Sequence, residues 1–148
     1  MKLFFVIISY LIAANICYGQ ALVPDSMNPK IYSITLDFAQ MNLSGICAVC
    51  NRNDTIVGTI MNEFGVKAFD FSYNKTKQKT KLTNVVKMMN KWYLRKIIST
   101  DISILLRKNN TKKQLSRHEL RVSSDSVVLI NNKYCIKYKF KQIYETER

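Results

Sequence analysis

Hydrophobic and polar side chains alternate over residues 32–38, where every second position is tyrosine, isoleucine, leucine or phenylalanine. A period of two is typical of a strand that buries one face. The polar cluster 51–54 separates two β-rich runs, which indicates a hairpin. Similar β-rich runs follow, and the last of them is a charged turn and strand at 75–81. The first half therefore predicts an antiparallel meander, with strands near 32–38, 43–50, 55–61, 69–73 and 75–81.

The spacing of the hydrophobic positions changes in the middle of the chain. Apolar residues recur every three or four positions between Val85 and Ile97, and Thr83 or Asn84 can cap a helix there. Thr100 and Asp101 can cap a second, shorter helix, so Asp101 is interpreted as a cap or first-turn charge. The sequence therefore predicts two helices, at about 84–98 and 100–107.

The alternation returns near the C-terminus. The clearest strand has Tyr134, Ile136 and Tyr138 on one face and lysines on the other. Shorter alternating or apolar runs at 118–122 and 127–130 precede it. Strands, then helices, then strands predict an α+β fold, with both helices packed on one face of an antiparallel sheet.

The N-terminus has the pattern of an export signal. Lys2 precedes an apolar run over residues 3–14, which is too short for a comfortable membrane span and is followed by the small residues Cys17 and Gly19 at positions −3 and −1 of a cleavage site. Cleavage after Gly19 is our preferred prediction. The alternative is a bacterial lipoprotein in which Cys17 is acylated, although Ile16 is not the small residue that normally precedes such a cysteine. We expect an exported protein that is periplasmic or associated with the outer membrane, and lipid-anchored if Cys17 is acylated.

The predicted organisation is simple. Residues 1–19 form the signal peptide, 20–30 an extended segment that carries both prolines, and 31–144 a single domain. The full chain has 148 residues, 47% hydrophobic and 22% charged, which is ordinary globular composition.

The charge is strongly positive. Lys and Arg number 23 against 10 Asp and Glu, a formal charge of +13. Lys87, Lys91 and Arg95 fall on one stripe of the first predicted helix and are candidates to contact an anionic surface. For an exported protein, the expected partners are a membrane surface, an acyl-chain ligand, or an acidic protein or glycan surface. Export argues against nucleic acid as a partner. The alternative that the basic surface serves only to keep the protein soluble remains open.

Catalytic and metal-binding patterns are weak. Cys47 and Cys50 form a C-x-x-C inside a predicted strand, where they point to opposite faces, so a thiol–disulfide enzyme is disfavoured. A disulfide involving Cys135 remains open in an oxidising compartment. His118, the single histidine, has no nucleophile or acid at a spacing in the sequence that would indicate a catalytic site. We therefore expect no enzyme activity, no metal and no cofactor.

Several short motifs, which together span roughly residues 31 to 106, resemble those of other exported proteins. They are Ser44-Gly45, Gly58-Thr-Ile-Met-Asn-Glu-Phe-Gly65, Phe69-Asp70-Phe71, Asn90-Lys-Trp-Tyr and Asp101-Ile-Ser-Ile-Leu-Leu106. They resemble small exported proteins of Bacteroidetes-type bacteria, many of which look like lipoproteins. The layout is more distantly similar to the LolA/LolB lipoprotein-carrier class. That resemblance implies an incomplete antiparallel β-barrel closed by helices around an apolar cavity, without catalytic residues.

Face periodicity suggests which side chains would line such a cavity. They are Phe69, Phe71, Trp92, Ile104, Tyr134, Ile136 and Tyr138. We therefore expect a non-enzymatic lipid- or lipoprotein-associated binding module at the periplasmic face of a membrane. The alternative is an exported structural or interaction protein with a packed core and a basic docking face.

Overall fold

The computed structural model describes Leu22 and residues 28–143. The predicted signal peptide, its cleavage site and Cys17 lie outside the described residues. Within them the chain forms eight strands and one α-helix: β1 Lys30–Phe38, β2 Met41–Arg52, β3 Thr55–Asn62, β4 Lys67–Asn74, β5 Lys79–Thr83, α1 Trp92–Leu106, β6 His118–Val122, β7 Ser126–Asn131 and β8 Ile136–Gln142.

All eight strands belong to one antiparallel sheet, in the spatial order β5-β4-β3-β2-β1-β8-β7-β6. The meander predicted for the first half is confirmed as β1 to β5. The C-terminal hairpins join it because β8 pairs with β1, with Leu36 opposite Tyr138. The sheet curls into a half-barrel, so the α+β class with an open half-barrel is confirmed.

The concave face of the half-barrel holds the hydrophobic core. Inward residues of β1 such as Ile34 are buried, whereas the neighbouring Ser33 is exposed, as the alternation predicted. Leu22 is also buried against this core. On β3, Gly58 leaves room for the ring of Phe71 opposite it, because a Cβ there would lie 2.2 Å from the ring.

The prediction of two helices is wrong, because the described residues contain only α1. The first helix was expected from residue 84, but Asn84 has a positive φ of 51° and Val86 donates its N–H to the carbonyl of Ala68. Residues 87–89 form a single 3-10 turn, and the α-helix starts at Trp92. The second helix was expected from a cap at Thr100, yet the Thr100 hydroxyl donates to the Lys96 carbonyl within one continuous helix.

The helix α1 packs mainly against β5 and also contacts β4 and β7. On the β5 side, the Arg95 guanidinium donates to the Leu82 carbonyl at 2.8 Å, and the Ser103 hydroxyl lies 2.8 Å from that of Thr80. On the other side, Asp101 accepts hydrogen bonds from β6, β7 and β8. The helix is thus fastened by polar contacts to strands from both ends of the sheet order.

Candidate functional site

A cavity of about 550 Å³ opens between α1 and the sheet. It lies at the end of the half-barrel that carries the β1–β2, β3–β4 and β7–β8 turns, which we call the cavity end. Its volume falls within the range of about 300–1,000 Å³ that is usual for small-molecule sites. The lining residues are Phe38, Trp92, Tyr93, Leu94, Lys96, Ile97, Thr100, Asp101, Arg117, His118, Asn131, Lys133 and Tyr134.

The β7–β8 turn brings an aromatic and a basic side chain to the mouth. The Asn131 side-chain oxygen accepts the backbone N–H groups of Lys133 and Tyr134, both at 3.2 Å, and so shapes the turn. Cys135 completes it with a positive φ of 54°. The Lys133 ammonium lies 5.1 Å from the centre of the Tyr134 ring, within cation–π range.

The first turn of α1 forms the opposite side of the mouth. Trp92 and Tyr93 pack edge to face with ring centres 6.0 Å apart. Trp92 is nevertheless 78% exposed. A large aromatic ring that borders a cavity and faces water is a frequent feature of binding surfaces.

Exposed hydrophobic side chains are concentrated at the cavity end. Phe64 and Val66 occupy the β3–β4 turn, and Met88 follows the contact between Val86 and Ala68 near the start of β4. With the three aromatic residues at the mouth, six of the nine exposed large hydrophobic residues in the described chain lie here. The others are Ile46 on β2, Val122 at the end of β6 and Ile143 after β8.

A buried polar cluster forms the back of the cavity. The Asp101 carboxylate is fully buried and accepts three hydrogen bonds. The hydroxyl of Tyr138 donates to Oδ2 at 2.7 Å, and the amide of Asn131 donates to Oδ1 at 2.9 Å. His118 Nε2 lies 2.8 Å from Oδ1, and because a carboxylate only accepts, this nitrogen carries the hydrogen. We call these four residues the Asp101 cluster.

The Asp101 cluster has a clear electrostatic consequence. Burial, followed by the adjacent carboxylate, raises the pKa of Tyr138 well above its usual value near 10, so the phenol stays protonated and donates. His118 Nδ1 is also buried and has no hydrogen-bond partner among the described residues. The cluster thus ties α1 to three strands through the Asp101 carboxylate, whereas His118 Nδ1 stays without a partner among the described residues. The interpretation of Asp101 as a helix cap is wrong, because its carboxylate points into the core from the middle of α1.

The seven residues expected to line a cavity separate into two groups. Trp92 and Tyr134 border the cavity. The other five are buried in the close-packed core: Phe69, Phe71, Ile104, Ile136 and Tyr138. The alternation identified inward-facing residues, but in a filled half-barrel most inward residues contact one another rather than a ligand.

Lys87, Lys91 and Arg95 do not form a stripe on one helix. Lys87 belongs to the 3-10 turn and Lys91 is the residue before the first turn of α1. Arg95 is half-buried and its guanidinium bonds to the Leu82 carbonyl and to the Asn90 side chain. The i, i+4, i+8 geometry fails because the helix starts eight residues later than expected.

The described cysteines are unbridged. Cys47 is buried on the inner face of β2, Cys50 is half-buried, and Cys135 is exposed in the β7–β8 turn. Burial raises the pKa of the Cys47 thiol to about 12, which leaves it protonated and unreactive at neutral pH. Among the described residues, no group of three His, Cys, Asp or Glu side chains is placed to hold a metal ion.

Sequence reasoning missed the Asp101 cluster as a unit, and it missed Arg117 and Lys133 at the cavity. One signal was present: Asp101 lies within the largely apolar segment 97–106. A helix through this segment must therefore either bury the carboxylate or expose leucines. Its partners on β6, β7 and β8 could not be identified without the strand pairing.

Comparison with protein-family models, with curated proteins and with solved structures finds no match to the chain. No helix within the described residues is long and apolar enough to cross a membrane.

Proposed function

We propose that this protein is a non-enzymatic, exported binding module for lipids or lipoproteins that works at the periplasmic face of a bacterial membrane. The observation that carries the proposal is the cavity end, where an open cavity of about 550 Å³ is bordered by the exposed rings of Trp92, Tyr93 and Tyr134 and shares its end of the half-barrel with further exposed hydrophobic side chains. A cavity of this kind can receive the apolar part of an amphiphile, and its rim can contact the surface from which the amphiphile comes.

The distribution of charge supports a membrane surface as the partner. Lys87, Lys91 and Lys96 are exposed beside Trp92 and Met88. Basic side chains near an anionic bilayer each contribute about 1 kcal/mol of attraction, and tryptophan and tyrosine favour the headgroup region. Aromatic and basic side chains at one end of the molecule therefore suit an anionic lipid surface.

The Asp101 cluster supports a binding role over a catalytic one. The Asp101 carboxylate is already bonded to Tyr138, Asn131 and His118. These groups hold α1 against the C-terminal strands, and the aromatic and basic side chains of the mouth are left to contact a ligand.

Vesicle binding tests the proposal, with two valines as a matched pair. Val66 at the cavity end and Val122 at the opposite end are 56% and 58% exposed. The protein should float with phosphatidylglycerol vesicles, and the emission of Trp92, the only tryptophan, should shift to the blue. Val66→Ser should weaken binding and Val122→Ser should not. Flotation that is absent, or equally weakened by both substitutions, would contradict a membrane role for the cavity end.

A second candidate function is an interaction protein that docks an acidic partner through a basic face. The close-packed core and the exposed lysines of β8, Lys137, Lys139 and Lys141, favour it. It predicts salt-sensitive capture of an acidic protein or glycan that is abolished by substitutions on β8 and unaffected by Val66→Ser.

A further inference from the structure

Three basic side chains border the cavity without an acidic partner. Lys96 comes from α1, Arg117 precedes β6, and Lys133 lies in the β7–β8 turn. None of them forms an ion pair within the described part of the chain, where the ion pairs are Lys67–Asp70, Arg121–Glu119 and the contact of His118 with Asp101. Among the described residues that line the cavity, the only carboxylate is Asp101, which is bonded to its own cluster.

Two of these cations are held on the same side of the mouth. The backbone N–H of Asn132 donates to the carbonyl of Arg117 at 2.9 Å, and His118 is paired with Asn131 across β6 and β7. Arg117 and the turn that carries Lys133 are thereby tied together. Lys96 faces them from the helix side of the same cavity.

We propose that the cavity binds an amphiphile with one acyl chain and one negatively charged head, either a carboxylate or a phosphate. This inference rests on the proposed function and specifies its ligand. Arg117 and Lys133 bind the head, and Arg117 can do so with two parallel hydrogen bonds, since its planar guanidinium matches both anions. The chain packs against the apolar wall formed by Phe38, Leu94 and Ile97.

The size of the cavity favours a ligand with one chain. A volume of about 550 Å³ lies in the middle of the range for sites that bury a drug-sized ligand, which has about as many heavy atoms as one acyl chain with a small head. A phospholipid with two chains has about twice as many. Beside the cavity, the side chains of Phe69, Ile136 and Tyr138 are buried and packed within the core.

Four probes of equal chain length test the inference on the delipidated protein, below their micelle-forming concentrations. They are palmitate, palmitoyl lysophosphatidate, palmitoyl lysophosphatidylcholine and dipalmitoyl phosphatidylglycerol, each titrated against Trp92 emission and by calorimetry. We expect palmitate, lysophosphatidate or both to bind about tenfold or more tightly than the other two. Tighter binding of palmitate identifies a carboxylate head, and tighter binding of lysophosphatidate identifies a phosphate head.

A pair of double variants isolates the cations at the mouth. Arg117→Gln with Lys133→Gln should cost about tenfold or more in affinity for the anionic probe and leave lysophosphatidylcholine unchanged. Arg121→Gln with Lys139→Gln removes the same charge from exposed positions that do not line the cavity, and should have little effect. Circular dichroism confirms that each variant is folded.

Failure of this inference can be distinguished from failure of the proposed function. Equal affinity for lysophosphatidylcholine, equal affinity for the two-chain lipid, or equal losses in the two double variants would overturn this inference and leave the proposed function intact. Binding of none of the four probes, together with no flotation on vesicles, would overturn both.

Discussion

Replacing Asp101 by alanine should destabilise the fold severely, because the carboxylate is the common acceptor for three buried donors. The substitution leaves the Tyr138 hydroxyl, the Asn131 amide and the His118 Nε2–H without a partner. Each buried group left unsatisfied costs about 1–3 kcal/mol. Simple addition gives roughly 3–9 kcal/mol, but neighbouring losses are not additive and water can enter from the adjoining cavity. We therefore expect a loss of about 3–5 kcal/mol in the free energy of unfolding.

Urea unfolding followed by circular dichroism measures this loss. Tyr138→Phe removes one of the three bonds and should cost about 1–2 kcal/mol. A double-mutant cycle of Tyr138→Phe with Asp101→Ala should give a coupling energy of about 1–3 kcal/mol. Asp54→Ala, at an exposed turn, is the control and should change stability by less than about 0.5 kcal/mol. A loss below about 1 kcal/mol for Asp101→Ala would refute the view that this cluster fastens α1 to the C-terminal strands.

Three further predictions concern Gly58, the cysteines and Tyr138. Gly58→Val should cost about 1–3 kcal/mol in urea unfolding, since the new side chain overlaps the Phe71 ring; an unchanged midpoint would contradict that packing. Cys135 should react with a thiol reagent at pH 8 in the folded protein, and Cys47 should react only after unfolding; peptide mapping by mass spectrometry distinguishes them. Because the pKa of Tyr138 is raised in the fold, its contribution is fully present below about pH 10 and is lost above it. Stability should therefore fall more steeply from pH 10 to 11 than in Tyr138→Phe, and equal falls would contradict the shift.

The strands could be predicted because their signal is local. A half-buried strand must alternate, and residues 32–38 and 136–140 do so in the sequence as in the sheet. The pairing of β8 with β1 could not be obtained in the same way, because nothing in either strand specifies a partner about a hundred residues away.

The start of the helix was misplaced because local capping signals were overridden by tertiary contacts. Thr83 and Asn84 look like a cap, but Thr83 is the last residue of β5, and Val86 is held by the Ala68 carbonyl at the end of β4–β5 pairing. Thr100 is a good cap in isolation and here bonds backward to Lys96 inside the helix. Capping residues predict a helix start only where the preceding chain is free to leave the sheet.

The cavity was partly predictable. The periodicity identified Trp92 and Tyr134 as cavity residues, and both line the cavity, but they lie outside the packed core. Arg117 and Lys133 gave no signal, because a lysine or arginine in a basic chain looks the same whether it borders a cavity or open solvent. Their common location depends on the β6–β7–β8 pairing, which is a long-range property of the fold.

Both proposals depend on the open cavity beside α1 holding an acyl chain. The most direct measurement is the quenching of Trp92 by a single-chain fatty acid brominated along its chain, because Trp92 lines the mouth and is the only tryptophan in the protein. We expect saturable quenching of Trp92 at one equivalent, which unlabelled fatty acid reverses. Unchanged emission at concentrations that saturate other fatty-acid binders would contradict it.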